Sequence, residues 1–199
     1  MSIFREYDIR GIVGKDLTVE IAESIGRAYA TLALQRGCKN VVVGRDGRLT
    51  SKELRDKFIA GVSSTGLNVT DIGVCATPLL YFALFNLPVD GGVMITGSHN
   101  ASEYNGFKMC VGEVALYGED IQQLKDILDK QRYAAGSGTV TETPIISQYL
   151  SYLKKNFSQV DGRPLHVVID AGNGAASPVS YTHLRAHETS LHLVCRLLL

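Results

Sequence analysis

Residues 91–108 read Gly-Gly-Val-Met-Ile-Thr-Gly-Ser-His-Asn-Ala-Ser-Glu-Tyr-Asn-Gly-Phe-Lys. The apolar run Val93-Met94-Ile95, bounded by glycines, predicts a short buried strand. It empties into Thr96, Gly97, Ser98, His99 and Asn100. Small polar groups therefore stand at the strand's carboxyl end, which is where ligands bind in open α/β sheets. Beyond the loop, Lys108 brings back an amine on a second apolar segment with Phe107, Met109 and Val111. A hydroxyl, an adjacent imidazole and a returning lysine suit phosphoryl or acyl transfer. A serine hydrolase fits poorly: neighbours in an extended segment point to opposite sides, and no Gly-x-Ser-x-Gly elbow surrounds Ser98.

Outward from this stretch the chain alternates helix and strand. Thr18 predicts a helix cap, followed by an apolar face of Ile21, Ile25, Ala28, Tyr29 and Leu32 that ends at Gly37. Val41–Val43 is a strand that runs into Gly44-Arg45-Asp46-Gly47-Arg48, and Thr50 or Ser51 caps the next helix, closed by Gly66. A strand over Leu67–Ile72 precedes Thr77-Pro78, expected as N-cap and first helical residue. Phe107–Leu116 predicts one or two further strands, and Glu119 to about Lys130 a helix with Ile121, Leu124 and Ile127 buried. The alternation implies a three-layer α/β/α domain with a parallel or mixed sheet. Residues 133–142, small and polar, read as a linker. Thr143-Pro144 restarts a helix, and Leu165–Ile169 begins a further strand in what reads as an incomplete second α/β domain.

Composition excludes several classes. The 199 residues carry 20 basic and 20 acidic side chains, so no basic footprint argues for nucleic acid. No apolar run approaches the ~20 residues of a membrane helix, and the amino terminus lacks a secretory h-region. Cys38, Cys75, Cys110 and Cys195 have no CxxC spacing and are expected as reduced thiols in a cytoplasmic protein. The sequons at Asn68, Asn100 and Asn156 are then accidental.

Several of these stretches together resemble the α-D-phosphohexomutases, in the phosphomannomutase/phosphoglucomutase branch. Thr96-Gly97-Ser98-His99-Asn100 resembles that family's phosphoserine loop, and Phe4-Arg5-Glu6-Tyr7-Asp8-Ile9-Arg10-Gly11 its amino-terminal motif. Gly44–Arg48, Thr77-Pro78 and Asp170-Ala171-Gly172-Asn173-Gly174 follow in the family's order. Ala101 departs, standing where the family usually has proline, which loosens the loop. On its own, Gly172-Asn173-Gly174 imitates a dinucleotide fingerprint without its third glycine.

The resemblance implies an enzyme that interconverts hexose 1- and 6-phosphates of mannose or glucose through a bisphosphorylated sugar. Ser98 is then the phosphorylated residue, and Lys108 the general acid/base. Arg10 and His99 complete the catalytic set, and Tyr7, Arg10, Asn100 and Arg48 bind substrate or phosphate, with internal pairing of the Gly44–Arg48 turn through Asp46 as the alternative for Arg48. Mg²⁺ would be held through the phosphoryl group of Ser98 and the family's Asp-Gly-Asp-x-Asp-Arg loop, which this chain lacks. The expected partner is a sugar phosphate, with no nucleic acid, no membrane and no obligate protein partner. The implied organisation is domain I over 1–132, linker over 133–142 and a truncated start of domain II over 143–179. Residues 180–199 resemble translated sequencing-adapter sequence and are expected to be artefactual. Their His183, His187 and His192, which imitate a helical metal site, are discounted with them. Such a fragment is expected to be inactive alone. A phosphoglucosamine mutase fragment and a non-catalytic sugar-phosphate- or nucleotide-binding module are the alternatives.

Overall fold

Thr18 caps the first helix as its position predicts, its Oγ1 accepting from Ile21 N–H at 3.3 Å, in a computed structural model that describes residues 3–159 and 174–175. The strand expected at 165–169, the Asp170–Asn173 part of the following turn and the tail from 180 lie outside the described residues. The elements run β1 (Ile9–Ile12), α1 (Val19–Gln35), β2 (Asn40–Arg45), α2 (Ser51–Ser63), β3 (Asn68–Val74), α3 (Thr77–Asn86) and β4 (Gly91–Ile95). They continue with β5 (Tyr104–Val111), β6 (Val114–Ala115), α4 (Glu119–Asp129), β7 (Val140–Glu142) and α5 (Ile146–Asn156).

The strands form one mixed sheet in the order β1-β5-β4-β2-β3-β7, with β6 on β5. β4, β2, β3 and β7 are mutually parallel, whereas β5 runs antiparallel to both β4 and β1. Period-two alternation sends Val41, Val43, Val93, Ile95, Phe107 and Met109 into the core beneath α1, α2 and α4. Val42, Met94 and Cys110 go to the opposite face, beneath α3. Phe58 of α2 centres the larger core, stacking on Phe107 with ring centroids 5.1 Å apart and lying 5.9 Å from Tyr29. Burial pushes the Tyr29 hydroxyl well above its ordinary pKa, and the neutral O–H donates to Cys110 O at 2.8 Å.

Three local expectations change. The amino-terminal motif contains a strand, β1, which the short Ile9-Arg10-Gly11-Ile12 alternation did not announce. The N-cap of α3 is Ala76 and Thr77 is already helical. The third change is the expected linker over 133–142. It is laid along the domain as a strap that ends in β7, parallel to β3. Gly136 N–H donates to Ser64 O and Gly138 N–H to Ser63 O, at 3.0 and 2.8 Å. Thr139 N–H donates to Asn68 Oδ1 at 2.9 Å. A Cβ on Gly138 would stand 2.1 Å from Leu67 O, so glycine there serves close packing. Backbone pairing holds this edge while its side chains stay exposed, so polar composition gave no strand signal. Past it, Ile145 is fully buried with α3, and Tyr149 and Tyr152 of α5 meet Phe82 at 5.2 and 5.3 Å.

Candidate active site

Ser98 sits just beyond β4, at the carboxyl end of the parallel strands, exposed and with φ 56°. A non-glycine residue in this left-handed region carries strain of about 1–2 kcal/mol, and such strain persists only where surrounding structure over-determines it. The determinants are visible. Ser98 N–H donates to Thr96 Oγ1 at 2.9 Å, and Asn100 N–H closes a turn onto Gly97 O at 3.0 Å. Ser98 Oγ lies 3.3 Å from His99 Nδ1.

Beneath the loop, Asp46 gathers five donors. Its Oδ1 accepts from Arg48 N–H at 3.1 Å and Ser51 Oγ at 2.5 Å. Its Oδ2 accepts from Thr96 Oγ1 at 2.8 Å, and from Gly97 N–H and Arg48 Nε at 3.2 Å each. Ser51 Oγ also accepts from the fully buried Asn105 at 2.9 Å, and Thr50 Oγ1 accepts from the same amide at 3.0 Å. These hydroxyls were expected to cap α2. They serve this network instead, and Thr50 makes no side-chain cap bond.

Arg48 was expected either to bind phosphate or to pair within its own turn through Asp46. Its Nη1 donates to Ala101 O at 2.6 Å and Tyr104 O at 3.1 Å, and its Nη2 to Asn100 O at 2.6 Å and Ser98 O at 3.2 Å. With Nε on Asp46, all five guanidinium donors are directed at the protein. That corrects the phosphate-binding alternative in favour of internal pairing, because no N–H remains for a phosphate oxygen. The guanidinium also explains Gly97, where a Cβ would lie 2.4 Å from Arg48 Cζ. Ala101 is held through its carbonyl, which accepts from Arg48 and from Tyr104 N–H.

A second cluster lies on the β1–β5 side. The antiparallel register puts Arg10 opposite Gly106 and Ile9 opposite Phe107. Asp8, Arg10 and Lys108 therefore share the face away from α1 and α2. Asp8, a buried carboxylate whose role no spacing in the chain announces, pairs with Arg10 and accepts from Lys108 Nζ at 3.3 Å. Arg10 Nη1 donates to Asn100 Oδ1 at 2.8 Å, which ties this cluster to the Ser98 loop. Ser98, His99, Asn100, Arg10 and Lys108 are thus brought to one end of the sheet. Tyr7 stands 71% exposed at that edge. An open recess of about 590 Å³ between α1 and α4, lined by Gln35, Gln122 and Lys130 among others, is elsewhere and includes none of these residues.

Among the described residues, no three His, Cys, Asp or Glu side chains gather so as to hold a metal ion. Asp46, the carboxylate under the loop, has its oxygens saturated by the five donors above. The residues present do not by themselves fit a divalent cation, which takes several oxygens in fixed geometry. Among the described residues, no helix is long and apolar enough to cross a membrane.

Residues 1–135 match the family model described as phosphoglucomutase/phosphomannomutase, α/β/α domain I. A phosphoglucomutase of Neisseria meningitidis serogroup B is 48% identical over 174 residues, covering 86% of this chain and 37% of the relative. A phosphomannomutase/phosphoglucomutase of Pseudomonas aeruginosa is 44% identical over 179 residues, covering 90% and 38%. The crystal structure of a phosphoglucomutase/phosphomannomutase family protein from Burkholderia thailandensis superposes with a TM-score of 0.83 at 39% identity, over 92% of this chain and 42% of that one. The chain thus spans less than half the length of each of these three relatives.

Proposed function

The chain belongs to the phosphoglucomutase/phosphomannomutase family, and from that premise we propose that Ser98 exchanges a phosphoryl group with a hexose phosphate. The enzyme it serves interconverts the 1- and 6-phosphates of mannose or glucose. In the forward half-reaction Ser98 Oγ forms a bond to phosphorus while the bond from phosphorus to the sugar oxygen breaks. The Oγ proton leaves to that oxygen, with Lys108 as the acid/base that carries it. The sugar in this step is the bisphosphate, formed beforehand by the same step in reverse, when phosphorylated Ser98 gave its phosphoryl group to the free hydroxyl at the other end of the hexose phosphate.

The observation that carries the reading is the placement of Ser98. Its exposed hydroxyl stands on a strained turn at the carboxyl end of β4, joined through Asn100, Arg10 and Asp8 to Lys108. Phosphoserine has a charge of about −1.5 to −2. Arg10 and Lys108 together exceed the single carboxylate of Asp8 between them by one positive charge. His99 and Asn100 line the acceptor, and Tyr7, on the exposed rim, contacts the sugar. Mg²⁺ would be held through phosphorylated Ser98 together with the Asp-Gly-Asp-x-Asp-Arg loop that this chain lacks. The organisation we propose is domain I over 1–132, with the strap of 133–142 leading into a second domain, in a cytoplasmic enzyme. This chain alone does not complete the cycle.

Incubation of the chain with a hexose 1,6-bisphosphate, followed by peptide mapping, tests the acceptor. Phosphate on Ser98 and its absence in Ser98→Ala is the expected result. A phosphorylated residue elsewhere, or none at all, would remove Ser98 from the proposal.

A further inference from the structure

Both peptide groups that flank Ser98 lead back to one carboxylate. On the amino side, Ser98 N–H donates to Thr96 Oγ1, and that hydroxyl donates to Asp46 Oδ2. On the carboxyl side, Ser98 O accepts from Arg48 Nη2, and Arg48 Nε donates to Asp46 Oδ2. The first contact orients the peptide that defines φ of Ser98, the second the peptide that defines ψ. Asp46 itself is placed by Ser51, and Ser51 by fully buried Asn105.

We infer that Asp46 and Arg48 are the positioning residues of the Ser98 nucleophile, holding it in its left-handed conformation without touching the substrate. A hydroxyl on a backbone free to relax to negative φ would leave the line of attack, and misplacement of a reacting group by about 1 Å can cost ~10²-fold in rate. A lysine at position 48 cannot do the same work. Its ammonium has three donors on a flexible stem, against the five directed bonds of the planar guanidinium.

The inference rests on the reading of Ser98 as phosphoryl acceptor for its functional consequence, while its conformational part is measured separately. The test uses the isotopically labelled chain and the variants Arg48→Ala, Arg48→Lys and Thr96→Val. A strong intraresidue HN–Hα Overhauser effect at Ser98 marks positive φ, and the rate of Ser98 phosphorylation by a hexose 1,6-bisphosphate is followed in parallel. In Arg48→Ala we expect the positive-φ signature to be lost with the core spectrum unchanged, and phosphorylation to slow by about 10²-fold. Millimolar guanidinium should restore part of both, which a loss of bulk stability would not allow. Arg48→Lys should behave like Arg48→Ala. Should Arg48→Ala fail to fold, Thr96→Val decides, since it deletes only the hydroxyl between Ser98 N–H and Asp46. A folded variant that keeps positive φ at Ser98 overturns the inference. If the parent chain accepts no phosphoryl group, the functional reading fails, and the Ser98 signature still decides whether the pair positions the loop.

Discussion

The two clusters that flank Ser98 are built oppositely. On the β2–β4 side, Asp46 and Arg48 cancel in charge, and every donor of Arg48 has a protein acceptor. On the β1–β5 side, one oxygen of Asp8 is shared by Arg10 and Lys108, so positive charge is in excess and Lys108 stays 35% exposed. A saturated polar network rigidifies what it touches, whereas an unsaturated one keeps capacity for a ligand. The closed cluster surrounds the serine loop, and the open one has the positive charge that the proposed phosphoserine calls for.

The largest effect expected from breaking this contrast is at Asp46. Asp46→Ala leaves Arg48, Ser51, Thr96 and Gly97 N–H without their acceptor, and should destabilise the chain by about 3–5 kcal/mol in urea unfolding. A loss below about 1 kcal/mol would mean that the network is not closed.

Cys110 and Lys108 lie two residues apart on one face of β5, and the contrast sharpens if the first is sealed where the second is open. Burial pushes the Cys110 thiol from 9.0 to about 11, and Cys75 from 9.0 to about 12. Both are folded-state values raised above the unfolded ones, so their contribution to stability is fully present below pH 9.0. It is withdrawn as pH rises, between 9.0 and about 11 for Cys110, at about 1.4 kcal/mol per unit. Iodoacetamide at about pH 8 should spare both thiols in the native chain and label them in denaturant, as peptide mapping would show. Rapid native labelling of Cys110 would place it on the open side with Lys108.

Ser98→Gly should raise stability by about 0.5–1 kcal/mol, because glycine accepts positive φ without strain. A drop in melting temperature would show that the left-handed turn is not strained. Smallest of all, Lys108→Met should shift stability by less than about 0.5 kcal/mol, since a half-exposed ion pair contributes little. It should nevertheless slow phosphoryl transfer to Ser98 by about 10²–10⁴-fold. Comparable losses in both measurements would make Lys108 part of the frame.

The sequence alone determined the order of helices and strands from α1 to α4, the three-layer architecture and the position of Ser98 at the end of β4. Those features rest on local periodicity and on caps such as Thr18, which act within a few residues of chain. Only the tertiary structure decided the roles of Thr50 and Ser51, whose hydroxyls suit an N-cap and instead meet Asn105, over 50 positions away. The same holds for Arg48, whose guanidinium closes on Ala101 O across 53 positions, and for Asp8, which meets Lys108 across 100. The strand at the end of the strap was hidden because backbone pairing with β3 makes it while the side chains of β7 stay exposed. Periodicity records which face of an element is buried. Which hydrogen-bonding partner a polar group finds is set by how the sheet brings distant strand ends together, and no spacing in the chain encodes that.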